Sequence, residues 1–170
     1  MRALVVFESM FGNTEMIARE VAAGLSIRMP VDVVEVGSAP TRIGDDVTLL
    51  VIGGPTHAFG MSRSQTRQDA AKQAGGLVVS QGRGIREWLD EVTCSTSVIA
   101  VAFDTRVNKK WVPGSAAKSA QKRLRKMGLS APGAPQSFFV QDTKGPLVEG
   151  DKTRARQWGE ALSARLTSSV

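Results

Sequence analysis

The sequence has no tyrosine, one cysteine (Cys94) and one histidine (His57) among its 170 residues. A lone cysteine excludes an intramolecular disulfide, so nothing argues for an oxidising compartment. With one cysteine and one histidine, no metal site is expected, and no catalytic dyad can be picked out. No apolar stretch approaches the roughly 20 residues a membrane span requires. The apolar run at residues 3–7 is too short for a signal-peptide core and is followed at once by Glu8. A soluble, cytoplasmic protein is therefore expected. No linker rich in Pro, Gly or Ser and no internal repeat divides the chain, which reads as one domain over residues 1–170.

Acidic residues are missing from one long segment. Between Thr105 and Gln141 stand eight bases (Arg106, Lys109, Lys110, Lys118, Lys122, Arg123, Arg125 and Lys126) and no acid. The chain as a whole carries a formal charge of +6, yet outside this segment acids slightly outnumber bases. Such a strip would steer an anionic partner toward whatever lies beside it. Aromatic residues are only 5% of the chain and sparse within the strip, which argues against single-stranded nucleic acid as the partner.

What is present is an alternation of two periods. Apolar, β-branched runs at 3–7, 31–36, 47–52, 98–103 and 137–140 read as strands, and the first, third and fourth are continuous enough to be central. Helical stripes fall at Ile17, Val21 and Leu25; at Ile85, Trp88, Leu89 and Val92; at Ala116, Ala120 and Leu124; and at Ala155, Trp158 and Leu162. A further helix is expected around 64–74, and the connection at 37–46 leaves room only for a brief one. Strands alternating with helices imply a doubly wound α/β domain on a parallel sheet.

The first strand runs into Glu8-Ser9-Met10-Phe11-Gly12-Asn13-Thr14-Glu15, where a helix begins. Such a turn aims backbone N–H groups and a helix dipole at one point, and Ser9 and Thr14 add hydroxyls. The loop has no lysine, unlike a triphosphate-binding loop, and no G-x-G-x-x-G. Its chemistry suits a phosphate monoester held by neutral donors. The segment at 77–84, with Gly82 and Gly84, imitates a strand entering a dinucleotide turn, but Glu87 stands where the third glycine belongs.

Residues 9–15 resemble the flavodoxin phosphate loop, which ends in Gly-Asn-Thr-Glu or close variants. The resemblance implies a flavodoxin-like three-layer α/β/α sandwich with a five-stranded parallel sheet in the order 2-1-3-4-5, and FMN as cofactor. Ser9, Met10, Phe11, Gly12, Asn13 and Thr14 would then hold the FMN phosphate. Phe11 departs from the Thr or Ser common in the family, a lost donor worth about 0.5–1.5 kcal/mol. Pro55, Thr56, His57, Ala58, Phe59 and Gly60 match the loop that lines the isoalloxazine ring, and their pattern is also similar to flavodoxin-like NAD(P)H:quinone oxidoreductases. His57 or Phe59 would stack on the ring. Phe103, Asp104, Thr105 and Arg106 occupy the place of the second ring loop. Trp111 would cover the outer face or lie buried under the next helix; the family's stacking tyrosine is absent. A carbonyl flip toward flavin N5, known in the family, would fall at Phe59-Gly60 or at His57-Ala58, and positive φ costs alanine roughly 1–2 kcal/mol.

Three functions follow. The chain is an FMN electron carrier, or an FMN-dependent oxidoreductase of the NAD(P)H:quinone type, or a non-redox module that binds a polyanion through 106–126. The first two imply an acidic redox-partner protein or an anionic small-molecule acceptor, with NAD(P)H as candidate donor.

Overall fold

The computed structural model describes residues 1–168. Five parallel strands form its sheet: β1 (Arg2–Phe7), β2 (Val31–Glu35), β3 (Val47–His57), β5 (Ile99–Val107) and β6 (Gln136–Val140). They lie in the order β2-β1-β3-β5-β6, the 2-1-3-4-5 order expected when the five parallel strands are counted in sequence. The sixth strand, β4 (Gly60–Met61), pairs antiparallel with the end of β3. The helices are α1 (Asn13–Leu25), α2 (Ser64–Gln73), α3 (Ile85–Glu91), α4 (Ala116–Lys126) and α5 (Asp151–Ser168).

Alternation along the central strands builds two cores. Leu4, Val6, Leu50, Ile52, Ala100 and Ala102 face Trp88, Leu89 and Leu124 of α3 and α4. Their strand neighbours Ala3, Val5, Phe7, Leu49, Val51 and Val101 face Ile17, Val21 and Leu25 of α1 and Ala155 and Leu162 of α5. Both faces of the sheet are thus covered, which is why these strands read as unbroken apolar runs. Trp88 is fully buried and its indole N–H donates to the Pro40 carbonyl (3.1 Å), so the large side chain leaves no orphan donor.

Three elements differ from the sequence reading. β3 extends past Ile52 to His57, because Gly53, Gly54 and Pro55, which look like a turn, pair in register with Phe103, Asp104 and Thr105 of β5. β5 likewise continues to Val107 against β6. Val36 leaves the second strand for a single 3₁₀ turn (Val36–Ser38), set by the Glu35 carboxylate accepting the Gly37 N–H. The extended ends of β3 and β5 carry Pro55, Thr56, His57, Thr105 and Arg106 to the carboxyl edge of the sheet. Among the described residues no helix is long and apolar enough to cross a membrane.

Candidate functional site

The helices α1, α3 and α4 start at this carboxyl edge, and their first turns are treated differently. At α4 the Ala116 N–H donates to Thr56 Oγ1 (3.1 Å), the Ala117 N–H to Asp104 Oδ2 (3.0 Å) and the Lys118 N–H to Ser115 Oγ (3.2 Å). At α3 the Ile85 N–H donates to Glu8 Oε1 (2.8 Å). At α1 no side chain caps the helix, and the first return bond runs from the Met16 N–H to the Gly12 carbonyl. The N–H groups of Asn13, Thr14 and Glu15 come before that bond, where a helix has no internal acceptor to offer. The chain closes the starts of α3 and α4 with its own oxygens and leaves α1 open to an anion.

The loop before α1 is held rigidly. Gly12 takes φ 95°, a left-handed conformation that bends the chain round the opening. Ser9 is fully buried; its hydroxyl accepts the Gly12 N–H (3.1 Å) and its own N–H donates to Ser80 Oγ (2.9 Å). The N–H groups of Val79 and Ser80 donate in turn to the carbonyls of Met10 and Ser9. The 77–84 segment, which imitates a dinucleotide turn in sequence, is therefore a strap that fixes the back of this loop. On the other side the Asn13 amide donates to the Lys144 carbonyl (3.2 Å). Glu15, an acid in the first turn, is paired with Arg19 one turn on (2.7 Å), which offsets its repulsion of an incoming anion.

A groove of about 130 Å³ runs from this loop along the sheet edge. Ser9, Met10, Phe11, Asn13 and Thr14 line one end. Pro55, Thr56 and His57 line the middle, with Thr105 and Arg106 opposite. The structure thus gathers ten of the residues singled out in sequence into one cleft. Thr14 and Thr105 are joined across it by their hydroxyls, 2.7 Å apart. Val107, Val140 and Thr143 also line the groove. Sequence reasoning missed them because no motif marks the end of β5 at Val107, the end of β6 at Val140 or the loop beyond it.

The remaining residues lie elsewhere. Phe103 is buried in the core, edge-on to Phe138 and Trp158, on the far side of the strand end. Asp104 is buried too, and its Oδ2 accepts from the Ser115 hydroxyl (2.5 Å) as well as from α4. Both side chains support the site from beneath and neither lines the groove. Arg106 reaches the groove but directs its guanidinium to the Val112 carbonyl (2.7 Å), pinning the loop that carries Trp111. Trp111 is 90% exposed at the tip of that loop and is not buried under α4.

Ala58, Phe59 and Gly60 form the end of the β3–β4 hairpin, where His57 pairs with Gly60. Ala58 (φ 45°) and Phe59 (φ 74°) both take positive φ, as a two-residue hairpin of the mirror-image type demands, though neither is glycine. Gly114 makes this possible on the partner side: a Cβ there would collide with the Phe59 backbone. His57 is held by Thr66, 3.1 Å from its Nδ1. The Thr66 hydroxyl also lies 3.0 Å from the Arg63 carbonyl, so it ties the imidazole to the start of α2. Burial, aided by Arg67, lowers the His57 pKa to about 4, and the ring is neutral at neutral pH.

The sequence matches the Flavodoxin family model over residues 5–158, most of the chain. The protein belongs to the flavodoxin family. Flavodoxins bind FMN, and the residues at the open end of α1 have the neutral N–H and hydroxyl donors that a phosphate monoester needs. No curated protein matches the sequence. Among solved structures, flavodoxin 1 from Bacillus cereus is similar with a TM-score of 0.68 at 16% identity, over 100% of this chain and 99% of that one. The flavodoxin of Streptococcus pneumonia TIGR4 gives 0.66 at 20% identity, over 97% and 99%. A flavodoxin from the domain Archaea gives 0.65 at 16% identity, over 98% and 99%. At these identities the likeness is one of fold.

Proposed function

We propose that this flavodoxin holds one FMN in the groove and carries electrons between protein partners. The observation that carries the reading is the contrast between the open N-terminus of α1 and the self-capped starts of α3 and α4. The loop from Ser9 to Thr14 holds the phosphate, with Thr14 and Thr105 as a linked hydroxyl pair beside it. Pro55, Thr56 and His57 line the ring side, and the hairpin tip at Ala58, Phe59 and Gly60 closes over its edge. Thr105 and Arg106 form the opposite wall. Bound FMN supplies the redox chemistry. The chain's residues orient it, and His57 presents a neutral ring rather than a positive charge.

The partner is proposed to be acidic. Lys118, Lys122, Arg125 and Lys126 are all exposed on α4, and Lys109 and Lys110 continue the strip to the loop beside the groove. Phe59, 61% exposed, and Trp111 add apolar surface at the same rim. A basic field around an apolar spot suits an acidic protein face. The same field would also draw in NAD(P)H, which supports a reductase of the quinone-oxidoreductase type as the second reading.

Anaerobic stopped-flow mixing of the FMN-loaded protein with NADH and with NADPH separates the two. A carrier shows no fast, saturable reduction by either nucleotide, yet is reduced rapidly by a protein donor. Saturable reduction by a nucleotide would move the chain to the reductases.

A further inference from the structure

Glu8 ends the first strand one residue before the phosphate loop, and its side chain is 1% exposed. Oε1 accepts the Ile85 N–H at the start of α3, whereas Oε2 has no hydrogen-bond partner among the described residues. Against it lies a small cavity of about 10 Å³ lined by Gly54, Pro55, Ser62, Ile85 and Ala116, among others. Pro55 also lines the groove, so only the end of β3 separates the two spaces. A buried carboxyl with an idle oxygen beside a void has room to carry a proton there.

The groups packed round it decide which form it takes. Burial is the largest influence and pushes the Glu8 pKa up; the Ser62 hydroxyl, the Ile85 N–H and Arg67 oppose this, and Glu87 adds to it. Arg67, from α2, is already shared between Ser62 Oγ (2.8 Å) and Glu87 Oε1 (2.6 Å), which dilutes its support for a charged Glu8. Asp104, on β5 beyond Gly54 in the sheet register, is committed to Ser115 and α4. His57 on β3 is neutral, and α4 offers the cavity only Ala116 and Ala120. Arg86 of α3 spends its guanidinium on the carbonyls of Met61 and Ser62, so among the described residues Arg67, already shared, is the cation set against Glu8 when negative charge arrives at the loop next door.

We propose that Glu8 is a proton-uptake site coupled to the phosphate loop: when a phosphate dianion settles on residues 9–14, the Glu8 carboxylate takes a proton from solvent onto Oε2. The step is a protonation alone; bulk water supplies the proton, and no other bond is made or broken. It rests on the FMN reading, since FMN brings the dianion. By linkage, FMN then binds more weakly as pH rises through the range in which Glu8 ionises. The folded apoprotein loses stability over the same interval, because a raised carboxyl pKa stabilises below its unfolded value and ceases to do so above its folded one.

Isothermal titration of FMN into the apoprotein, in buffers of different ionisation enthalpy, counts the protons taken up. The native protein should take up more protons per FMN than Glu8→Gln, while riboflavin, which lacks the phosphate, should show no difference between the two. Relative to Glu8→Gln, the native dissociation constant should rise with pH by up to about tenfold per unit. Equal proton counts in the two proteins with tight FMN binding would overturn the role of Glu8 and leave the FMN reading intact. Failure of the native protein to bind FMN would overturn both. Should Glu8→Gln not fold, infrared difference spectra of native protein labelled with ¹³C-glutamate serve instead. A labelled carboxylic-acid band must grow on adding FMN and not on adding riboflavin; its absence would overturn the proposal.

Discussion

The hydroxyl oxygens of Thr14 and Thr105 lie 2.7 Å apart, both buried, and tie the first turn of α1 to the end of β5. One hydroxyl must donate to the other, so one donor remains for a ligand. Thr14→Val and Thr105→Val should each weaken FMN by about 1–2 kcal/mol, roughly five- to thirtyfold. The double variant should cost clearly less than the sum, because the two act as one unit. Fluorescence titration of the four proteins of the cycle measures this; strictly additive losses would mean that the pair does not share a donor.

His57 should stay neutral through the physiological range. Its folded pKa of about 4 lies below the ordinary 6.5, so the unfolded chain binds a proton that the folded chain refuses between those values. Stability should therefore fall as pH drops from about 6.5 to 4, by up to roughly 3 kcal/mol from this residue. Because it is the only histidine, its ring signals in an NMR titration are unambiguous. A midpoint near 6.5 would show that the ring is not buried as described.

The hairpin at Ala58-Phe59 holds two non-glycine residues at positive φ. Replacing the pair by Asn-Gly, the favoured residues for this turn, should stabilise the apoprotein by about 1–2 kcal/mol. Thermal unfolding with and without FMN is the measurement. A loss of stability would mean that contacts of the Phe59 ring outweigh the backbone strain.

Reversal of charge along α4 should affect partners and spare the cofactor. Lys122→Glu, Arg125→Glu and Lys126→Glu together should slow electron transfer with an acidic partner at low salt and leave the bound-flavin spectrum unchanged. The native rate should fall with ionic strength as screening shortens the reach of the strip. A rate flat with salt would reduce the strip to a solvated helix face.

Much of this was legible from the sequence for physical reasons. Central strands buried on both faces announce themselves as apolar runs, and the strand–loop–helix turn at Ser9 to Thr14 carries its chemistry in a few adjacent residues. The strand ends were not legible, since Gly53-Gly54-Pro55 has turn composition and pairs only because β5 lies alongside. Nor were the roles of Phe103 and Asp104. Their position after a strand suggested ring contacts, but the alternation of the extended strand sends Phe103 into one core and Asp104 to the start of α4. Glu8 gave no signal either: a carboxylate next to a phosphate loop looks exposed until the α3 N-terminus is found sitting on it.

The central claim is that the open N-terminus of α1 is a phosphate site for FMN. Titration of the apoprotein with FMN and with riboflavin, followed by quenching of flavin fluorescence, tests it most directly. FMN should bind at one per chain and at least about a hundredfold more tightly than riboflavin, as loss of several charge-assisted hydrogen bonds implies. Equal affinity for the two flavins would contradict the assignment of the loop.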